Sequence, residues 1–251
     1  MASPAKVAVV TGASRGIGRA VALRFAQNGY QVWALARTAA ALKELGPGIR
    51  PLEVDVTQPQ QLEAALATVT RDATAPSVLV NNAGIALSAP LAKTSLEDFD
   101  RVMSLNVRAA FLLCQGLMPA MAKAGEGRVI NIASTAALKG FKYTSAYCAS
   151  KHALLGLTRS LAVEFASKGV TVNAVCPGWT DTDMLARSAE AISSATGRSK
   201  AQAVQALQEM NPMKRLTRPE EVADLCLFLA SPAAATVTGA AYTMDGGESA
   251  A

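Results

Sequence analysis

Val7-Ala8-Val9-Val10-Thr11-Gly12-Ala13-Ser14-Arg15-Gly16-Ile17-Gly18 is the stretch that decides the fold. Its Val-rich start reads as a buried strand, and from Ile17 to Asn28 the apolar residues recur at helical spacing. Gly12, Gly16 and Gly18 therefore mark a strand-to-helix turn, where glycine lets the chain turn tightly and approach a ligand with its backbone. The amides that open such a helix carry the positive end of its dipole, which suits a phosphate. A glycine-rich turn is also ordinary loop chemistry, so its meaning rests on what surrounds it.

Outward from this turn the same alternation continues. Residues 6–11, 31–35, 49–54, 77–81, 128–133, 170–175 and 241–244 have the composition of strands, and residues 17–28, 60–70, 96–123, 145–167 and 220–229 have helical length and patterning. Repeated β-α alternation predicts an α/β fold, a doubly wound parallel seven-stranded sheet with helices on both faces. No linker or repeat divides the chain, so residues 1–251 are read as one domain. The rhythm breaks between Gly178 and Arg218, where Ala, Ser and Gln dominate and a helix is expected over Lys200 to Met210. Because this segment follows a strand end, where open α/β sheets bind ligands, residues 179–218 are read as a substrate lid.

With 51% hydrophobic and 17% charged residues the chain is globular. Met1 to Lys6 runs into a strand without an apolar core or cleavage site, so no secretory signal is expected. Polar residues or glycine interrupt the apolar runs before the roughly 18 residues of a membrane span, which predicts a protein outside the membrane. Cys114, Cys148, Cys176 and Cys226 are scattered without a CxxC or a partnered His. Neither a metal site nor a disulfide framework is indicated, and a cytoplasmic location is expected. The net charge of +5 suits an anionic ligand, but the cations are dispersed and aromatics make up only 5%, so no nucleic-acid partner is expected.

Ser134, Tyr147 and Lys151 give the chemistry. A Tyr and a Lys four apart on a helix share a face. A free phenol has a pKa near ~10, and a neighbouring ammonium and a cationic nicotinamide both favour the phenolate, bringing proton transfer toward neutral pH. A hydroxyl from a separate segment, Ser134, suits a carbonyl oxygen on which charge develops during hydride transfer. Singly these are a strand-end hydroxyl, a half-buried aromatic and a solvated lysine; together, downstream of the glycine turn, they read as a nicotinamide oxidoreductase. His152 points about 100° away from Lys151 around the helix. Cys148 has no base beside it in sequence, and Asn173 is read as serving backbone groups near the end of the sixth strand. None of these three is assigned to catalysis.

About twenty residues beyond such glycines an NAD-binding domain commonly places an acid on the ribose, whereas here Leu35-Ala36-Arg37-Thr38 offers none. Arg15 adds a second guanidinium suited to a 2′-phosphate. NADP(H) is favoured, and NAD(H) stays open if both arginines are merely solvated.

As a set these residues resemble the short-chain dehydrogenase/reductase family over essentially the whole chain. The pattern comprises Thr-Gly-x3-Gly-x-Gly at Thr11 to Gly18, Asn81-Asn82-Ala83-Gly84, Asn106, Ser134, Tyr147-x3-Lys151, and Pro177-Gly178 followed by Thr182. The resemblance implies a Rossmann-type domain in which Tyr147 gives or takes the proton. Ser134 positions the carbonyl, and Lys151 anchors the ribose and lowers the Tyr pKa. It implies that Asn106 holds a water in a proton relay, although a helix Asn also mends backbone kinks. It places Gly12, Ser14, Arg15, Gly16, Ile17, Gly18 and Arg37 on the phosphates, Asp55 and Val56 on the adenine, and Asn82, Ala83 and Gly84 beside the ribose. Pro177, Gly178, Thr180 and Thr182 come near the nicotinamide. It further implies B-face hydride transfer and a homotetramer built on the helices of residues 96–123 and 145–167.

Ser134, Ala136, Leu138, Phe141, Tyr147, Trp179, Met184 and Leu185 are the expected substrate-lining set, an apolar group suited to a ketone. Lys139, Lys142, Arg187 and Arg198 are within sequence reach of an anionic tail, and equally are ordinary surface cations. Val172 to Pro177 and Val237 to Gly247 resemble 3-oxoacyl-thioester reductases, in which the basic positions matched by Arg128 and Lys168 help to dock an acidic carrier protein. The leading expectation is an NADP(H)-dependent reductase of a carbonyl or acyl thioester. An NAD(H)-linked alcohol dehydrogenase and a non-catalytic cofactor sensor are the alternatives, and a sensor has no need of the Ser-Tyr-Lys set.

Overall fold

The Val-rich run forms β1 (Val7–Thr11), every residue of which is buried, and the glycine turn leads it into α1 (Gly16–Gln27). The computed structural model describes residues 6–71 and 76–250. Beyond α1 come β2 (Gln31–Ala36), α2 (Ala39–Lys43), β3 (Ile49–Glu53), α3 (Pro59–Arg71) and β4 (Val78–Asn81). Then follow α4 (Leu96–Met103), α5 (Ala109–Ala124), β5 (Gly127–Ile132), α6 (Ser145–Phe165) and β6 (Val170–Pro177). The chain continues through α7 (Asp183–Thr196), α8 (Lys200–Gln208), α9 (Pro219–Ala230) and β7 (Ala241–Met244). The seven strands form one sheet in the order β3-β2-β1-β4-β5-β6-β7, and all adjacent pairs are parallel. The expected fold is therefore the observed one.

Alternation along β1 explains why both faces must be covered. Ala8 and Val10 point into one core with Val21 and Phe25 of α1 and Val222 and Leu229 of α9. Val7 and Val9 point into the other with Leu62 of α3 and Leu113, Leu117 and Met118 of α5. The strand order reverses between β1 and β4, and the crevice at such a switch is where this architecture binds ligands.

Four details differ from the sequence reading. The short α2 was not expected, and α7 occupies part of the insertion that had been given a helix only at residues 200–210. Ser and Ala blur the α7 pattern, which is visible only through its buried Leu185 and Ala189. The helix expected over 96–123 is divided by a π turn at Ser104–Arg108. The continuous helical run Leu96–Ala124 is long and apolar enough to cross a membrane by length and composition, contrary to the expectation that no such run exists. Here Val102, Leu113, Leu117 and Met121 are buried, as in a core helix.

One latch fixes the crevice. The Thr11 hydroxyl accepts the amides of Asn82 and Ala83, both at 3.0 Å, and Asn82 Nδ2 donates to the carbonyls of Thr11 (2.9 Å) and Gly12 (3.3 Å). Gly12 has φ +65°, a conformation that favours glycine. At Gly18 a Cβ would lie 2.4 Å from both the Gly12 oxygen and Asn82 Nδ2. The insertion is fastened at its base: Asp181 donates to the Thr217 carbonyl (3.0 Å), Thr217 N to that of Trp179 (2.9 Å), and Thr217 Oγ1 to Met244 of β7 (2.9 Å). Beyond it α7 and α8 pack chiefly on one another.

Gly18→Ala is expected to cost about 2–3 kcal/mol, an overpacking effect, in urea unfolding. Gly156→Ala on α6, where a Cβ meets nothing within 4 Å, is expected to be neutral or slightly stabilising.

Candidate active site

Ser134 lies two residues past the end of β5, where it caps a short turn (Thr135–Ala137) in an extended conformation, its Oγ accepting the Ala136 amide at 3.1 Å. Tyr147 lies in the first turn of α6, beside the Ser134 hydroxyl, and Lys151 follows one turn later. The Lys151 ammonium sits 5.7 Å from the centre of the Tyr147 ring and donates to the Ile132 carbonyl at 2.9 Å. The three residues that the spacing singled out are thus neighbours at the C-terminal ends of the strands.

Asn106 lies in the π turn, and its side chain is fully engaged. Its Oδ1 accepts Ile85 N (2.9 Å), while its Nδ2 donates to the Ile85 carbonyl (2.9 Å) and to Ser150 Oγ (3.0 Å). Ser150 Oγ in turn donates to the Tyr147 carbonyl at 2.7 Å. The amide therefore clamps the chain after β4 to the catalytic helix, which is the backbone role that the sequence left open beside the relay. A Cβ on Gly84 would come within 3.2 Å of Asn106 Oδ1 and 3.7 Å of Lys151 Nζ, so glycine lets this loop pass close to both.

Burial governs the titrations. It raises the Tyr147 pKa, and the Ser134 hydroxyl only partly offsets it. It lowers that of Lys151 to about 8. In the protein alone the Tyr147 pKa thus lies above its ordinary value, burial being the largest cause, while the Lys151 ammonium nearby donates to the Ile132 carbonyl. Cys176, missed by the sequence reading, lies here too: burial raises its pKa, while the Ser134 amide and the Lys151 charge oppose the rise.

On the other side of the crevice α1 begins at Arg15 without a side-chain cap and without an acid in its first turn. Its amides are free for an anion, and the bare Cα of Gly16 lies against Thr182, whose Cγ2 would stand 3.2 Å from a Cβ there. These features fit the pyrophosphate of a nicotinamide dinucleotide. Ser14 and Ile17 keep part of their surface exposed in the turn, and Arg37 is exposed just past β2. Arg15 pairs with Asp183 at the start of α7, 3.6 Å away. Asp55 is engaged by Thr57, which donates its amide (2.9 Å) and hydroxyl (2.7 Å); these bonds, with the Arg37 charge, outweigh burial and hold the Asp55 carboxyl below its ordinary pKa. Val56 and Thr180 are buried, and Thr180 Oγ1 donates to the Gly178 carbonyl. A groove of about 590 Å³ lies behind the turn, between Gly16, Arg19, Thr182 and Glu220, away from Ser134 and Tyr147.

Of the expected substrate-lining residues, Leu138, Phe141, Trp179 and Met184 keep exposed surface, whereas Ala136 and Leu185 are buried. Lys142 lies over the Tyr143 ring and Lys139 is paired with Glu248. Arg128 is not a docking residue here: it is buried and donates to the Gly127 and Gly169 carbonyls. Lys168 lies over the Phe165 ring. His152 is exposed, with Nδ1 against the Cys148 carbonyl. Asn173 bridges the backbone of Val237 and Ala240, but from the middle of β6.

The Lys151 shift makes a stability prediction. Unfolded, the ammonium has its ordinary pKa of 10.5; folded, about 8. Between these values the unfolded chain binds more protons, so stability gains with rising pH, and below pH 8 the full penalty stands, on the order of 3 kcal/mol. Lys151→Met is therefore expected to raise Tm most below pH 8, with the advantage fading toward 10.5. A pH-independent difference in calorimetry would contradict the buried-ammonium account.

Residues 12–249 match the family model described as enoyl-(acyl carrier protein) reductase. The chain is 38% identical over 252 residues to the 2-(R)-hydroxypropyl-CoM dehydrogenase of Xanthobacter autotrophicus, covering 96% of this chain and 97% of that protein. It is 37% identical over 246 residues to a 3-oxoacyl-[acyl-carrier-protein] reductase of Vibrio cholerae, covering 96% of each. Among solved structures it is similar to a Phe-to-Trp variant of the actinorhodin polyketide ketoreductase with NADPH, at a TM-score of 0.94, 35% identity and 99% coverage of both chains.

Proposed function

The chain belongs to the short-chain dehydrogenase/reductase family of oxidoreductases, and we propose that it works there as an NADP(H)-dependent reductase of ketones, with 3-oxoacyl thioesters as its substrate class. The observation that carries this reading is the meeting of Ser134, Tyr147 and Lys151 at the crevice opposite the uncapped start of α1. Similarity to a 3-oxoacyl-thioester reductase and to a ketoreductase solved with NADPH supports the substrate and cofactor classes. Arg37, where an acid would otherwise meet the ribose, supports the phosphorylated cofactor. The ion pair of Arg15 with Asp183 favours the NAD(H) reading to the extent that it keeps Arg15 from a 2′-phosphate.

The bound nicotinamide would supply the hydride. Ser134 holds the carbonyl oxygen by a hydrogen bond, and Tyr147 delivers the proton to it. Burial keeps the phenol protonated at neutral pH, the form that reduction needs. Lys151, as the ammonium, holds the ribose hydroxyls. Asn106 acts as a positioning residue through Ile85 and Ser150. Residues 179–218, hinged at Thr180 and Thr217, close over the substrate. A homotetramer in the cytoplasm belongs to the same reading, supported by the exposed Phe111 of α5 and Val163 of α6 and by free cysteines.

Loss of NADPH or NADH absorbance with acetoacetyl-CoA and a panel of alkyl, cyclic and aryl ketones tests both choices. NADPH turnover on the thioester is expected, with Arg37→Ala weakening NADPH at least tenfold relative to NADH; equal use of both cofactors before and after the change would remove the arginine argument. Tyr147→Phe is expected to lower kcat by a factor of about 10² to 10⁴ while cofactor affinity stays within a few-fold. A wild-type-like rate in that variant would refute the proton-transfer role.

A further inference from the structure

The C-terminal turn after β7 carries a buried carboxylate that the reaction does not use. Glu248 is 4% exposed in its side chain, and Lys139 lies 3.2 Å from its Oε1. Lys139 Nζ also donates to the Glu248 backbone carbonyl at 3.1 Å and sits 5.2 Å from the centre of the Phe141 ring. Among the described residues Oε1 has no hydrogen-bond partner, so the Lys139 ammonium is the charge that compensates it. Removing either member would leave the other as an uncompensated charge.

The place of the pair matters more than its strength. Lys139 lies in the segment joining Ser134 to Tyr147, where its amide donates to Thr135 and its carbonyl meets the Cys148 thiol, next to Tyr147. Glu248 lies against the other wall: a Cβ on Gly178, just before Trp179, would stand 3.5 Å from Glu248 Oε2. Asp245 fixes the turn itself by accepting the amides of Gly247 and Ser249. The pair thus ties the two walls together at the β6–β7 end of the crevice, four strands from the glycine turn. Ser134 and Lys139 stand on the same short segment, one capping the turn Thr135–Ala137 and the other donating back to Thr135, so the pair borders the crevice on the side that carries the Ser134 hydroxyl.

We propose that Glu248 is a specificity-determining residue: it neutralises Lys139, so the cleft takes neutral ketones and thioesters and rejects short 3-oxo acids whose carboxylate would otherwise pair with Lys139. This rests on the ketone-reductase reading above. A free ammonium there would attract such an acid, whereas a masked one leaves the carboxylate desolvated and unpaired. The substrate class is then decided by a residue outside the Ser-Tyr-Lys set.

The test compares kcat/KM for acetoacetate with that for its ethyl ester, using NADPH. Glu248→Gln is expected to raise the acid-to-ester ratio at least tenfold, and adding Lys139→Met is expected to return it to the wild-type value. An unchanged ratio in Glu248→Gln, or a raised ratio that survives Lys139→Met, overturns the proposal. Calorimetric titration of malonate into the NADP-loaded proteins gives a readout that needs no turnover: binding is expected in Glu248→Gln and not in wild type or the double variant, and equal binding in all three overturns the proposal. If wild type reduces neither ketone, the reductase reading falls, while the malonate result still decides the role of Glu248.

Discussion

The union of β1 and β4 through Thr11 and Asn82 is the constraint on which the site depends. Parallel strands leave their C-terminal ends side by side, and beyond Val10 and Val80, the last ladder pair of β1 and β4, side chains must bridge the point where the strand order reverses. One hydroxyl and one amide bridge it here, taking up backbone groups that would otherwise be unpaired at the edge of the crevice. The glycine turn is thereby held open to a ligand. Gly18 has no room for a side chain because the Asn82 amide and the Gly12 carbonyl occupy the space, so the requirement for glycine comes as much from this latch as from the ligand.

From that fixed end the catalytic helix is positioned by polar contacts that reach across elements. Asn106, carried by the π turn, joins Ile85 to Ser150, and Ser150 joins the Tyr147 carbonyl. A regular helix over residues 96–124 would present this amide differently, so the irregular turn belongs to the positioning apparatus rather than being a defect. The cost of the arrangement appears in the titrations: burial pushes the phenol up and the ammonium down, each toward its neutral form. A neutral phenol suits reduction, and with its pKa at about 8 Lys151 remains largely an ammonium at neutral pH.

The fold was legible because both signals that define it are local. The Val-rich runs and the Gly12-Gly16-Gly18 turn announce a parallel sheet, and the Tyr147 to Lys151 interval places two side chains on one face whatever surrounds them. What the sequence hid depends on partners far away in the chain. Thr11 reads as a strand-end residue until Asn82, 71 residues on, is seen against it. Arg128 reads as a surface cation until its guanidinium is found against the carbonyl of Gly169. The interval from Tyr147 to Lys151 is visible in the spacing, but the desolvation that raises the one pKa and lowers the other is not. The segment 179–218 was the least legible: α7 is Ser-rich, and its buried face includes only Leu185 and Ala189 among the described residues.

The same contrast explains why relatives that match this chain over nearly its whole length carry different substrate names. The latch, the π turn and the Ser-Tyr-Lys group lie at the sheet ends nearest β1, β4 and β5, and in the proposed reading they meet atoms common to any carbonyl and any dinucleotide. Selection among substrates would fall to whatever meets the far end of the molecule, which in the proposed reading is the loop after Ser134, the base of α7 and the last turn. The Lys139–Glu248 ion pair joins the first of these segments to the last. A charge pair at a rim discriminates more sharply than an apolar wall, because an extra methylene in an apolar pocket changes binding only modestly whereas a carboxylate without a partner is expelled. On the proposed reading, specificity would therefore change through single residues of the turn after β7 while the proton transfer assigned to Tyr147 stays the same.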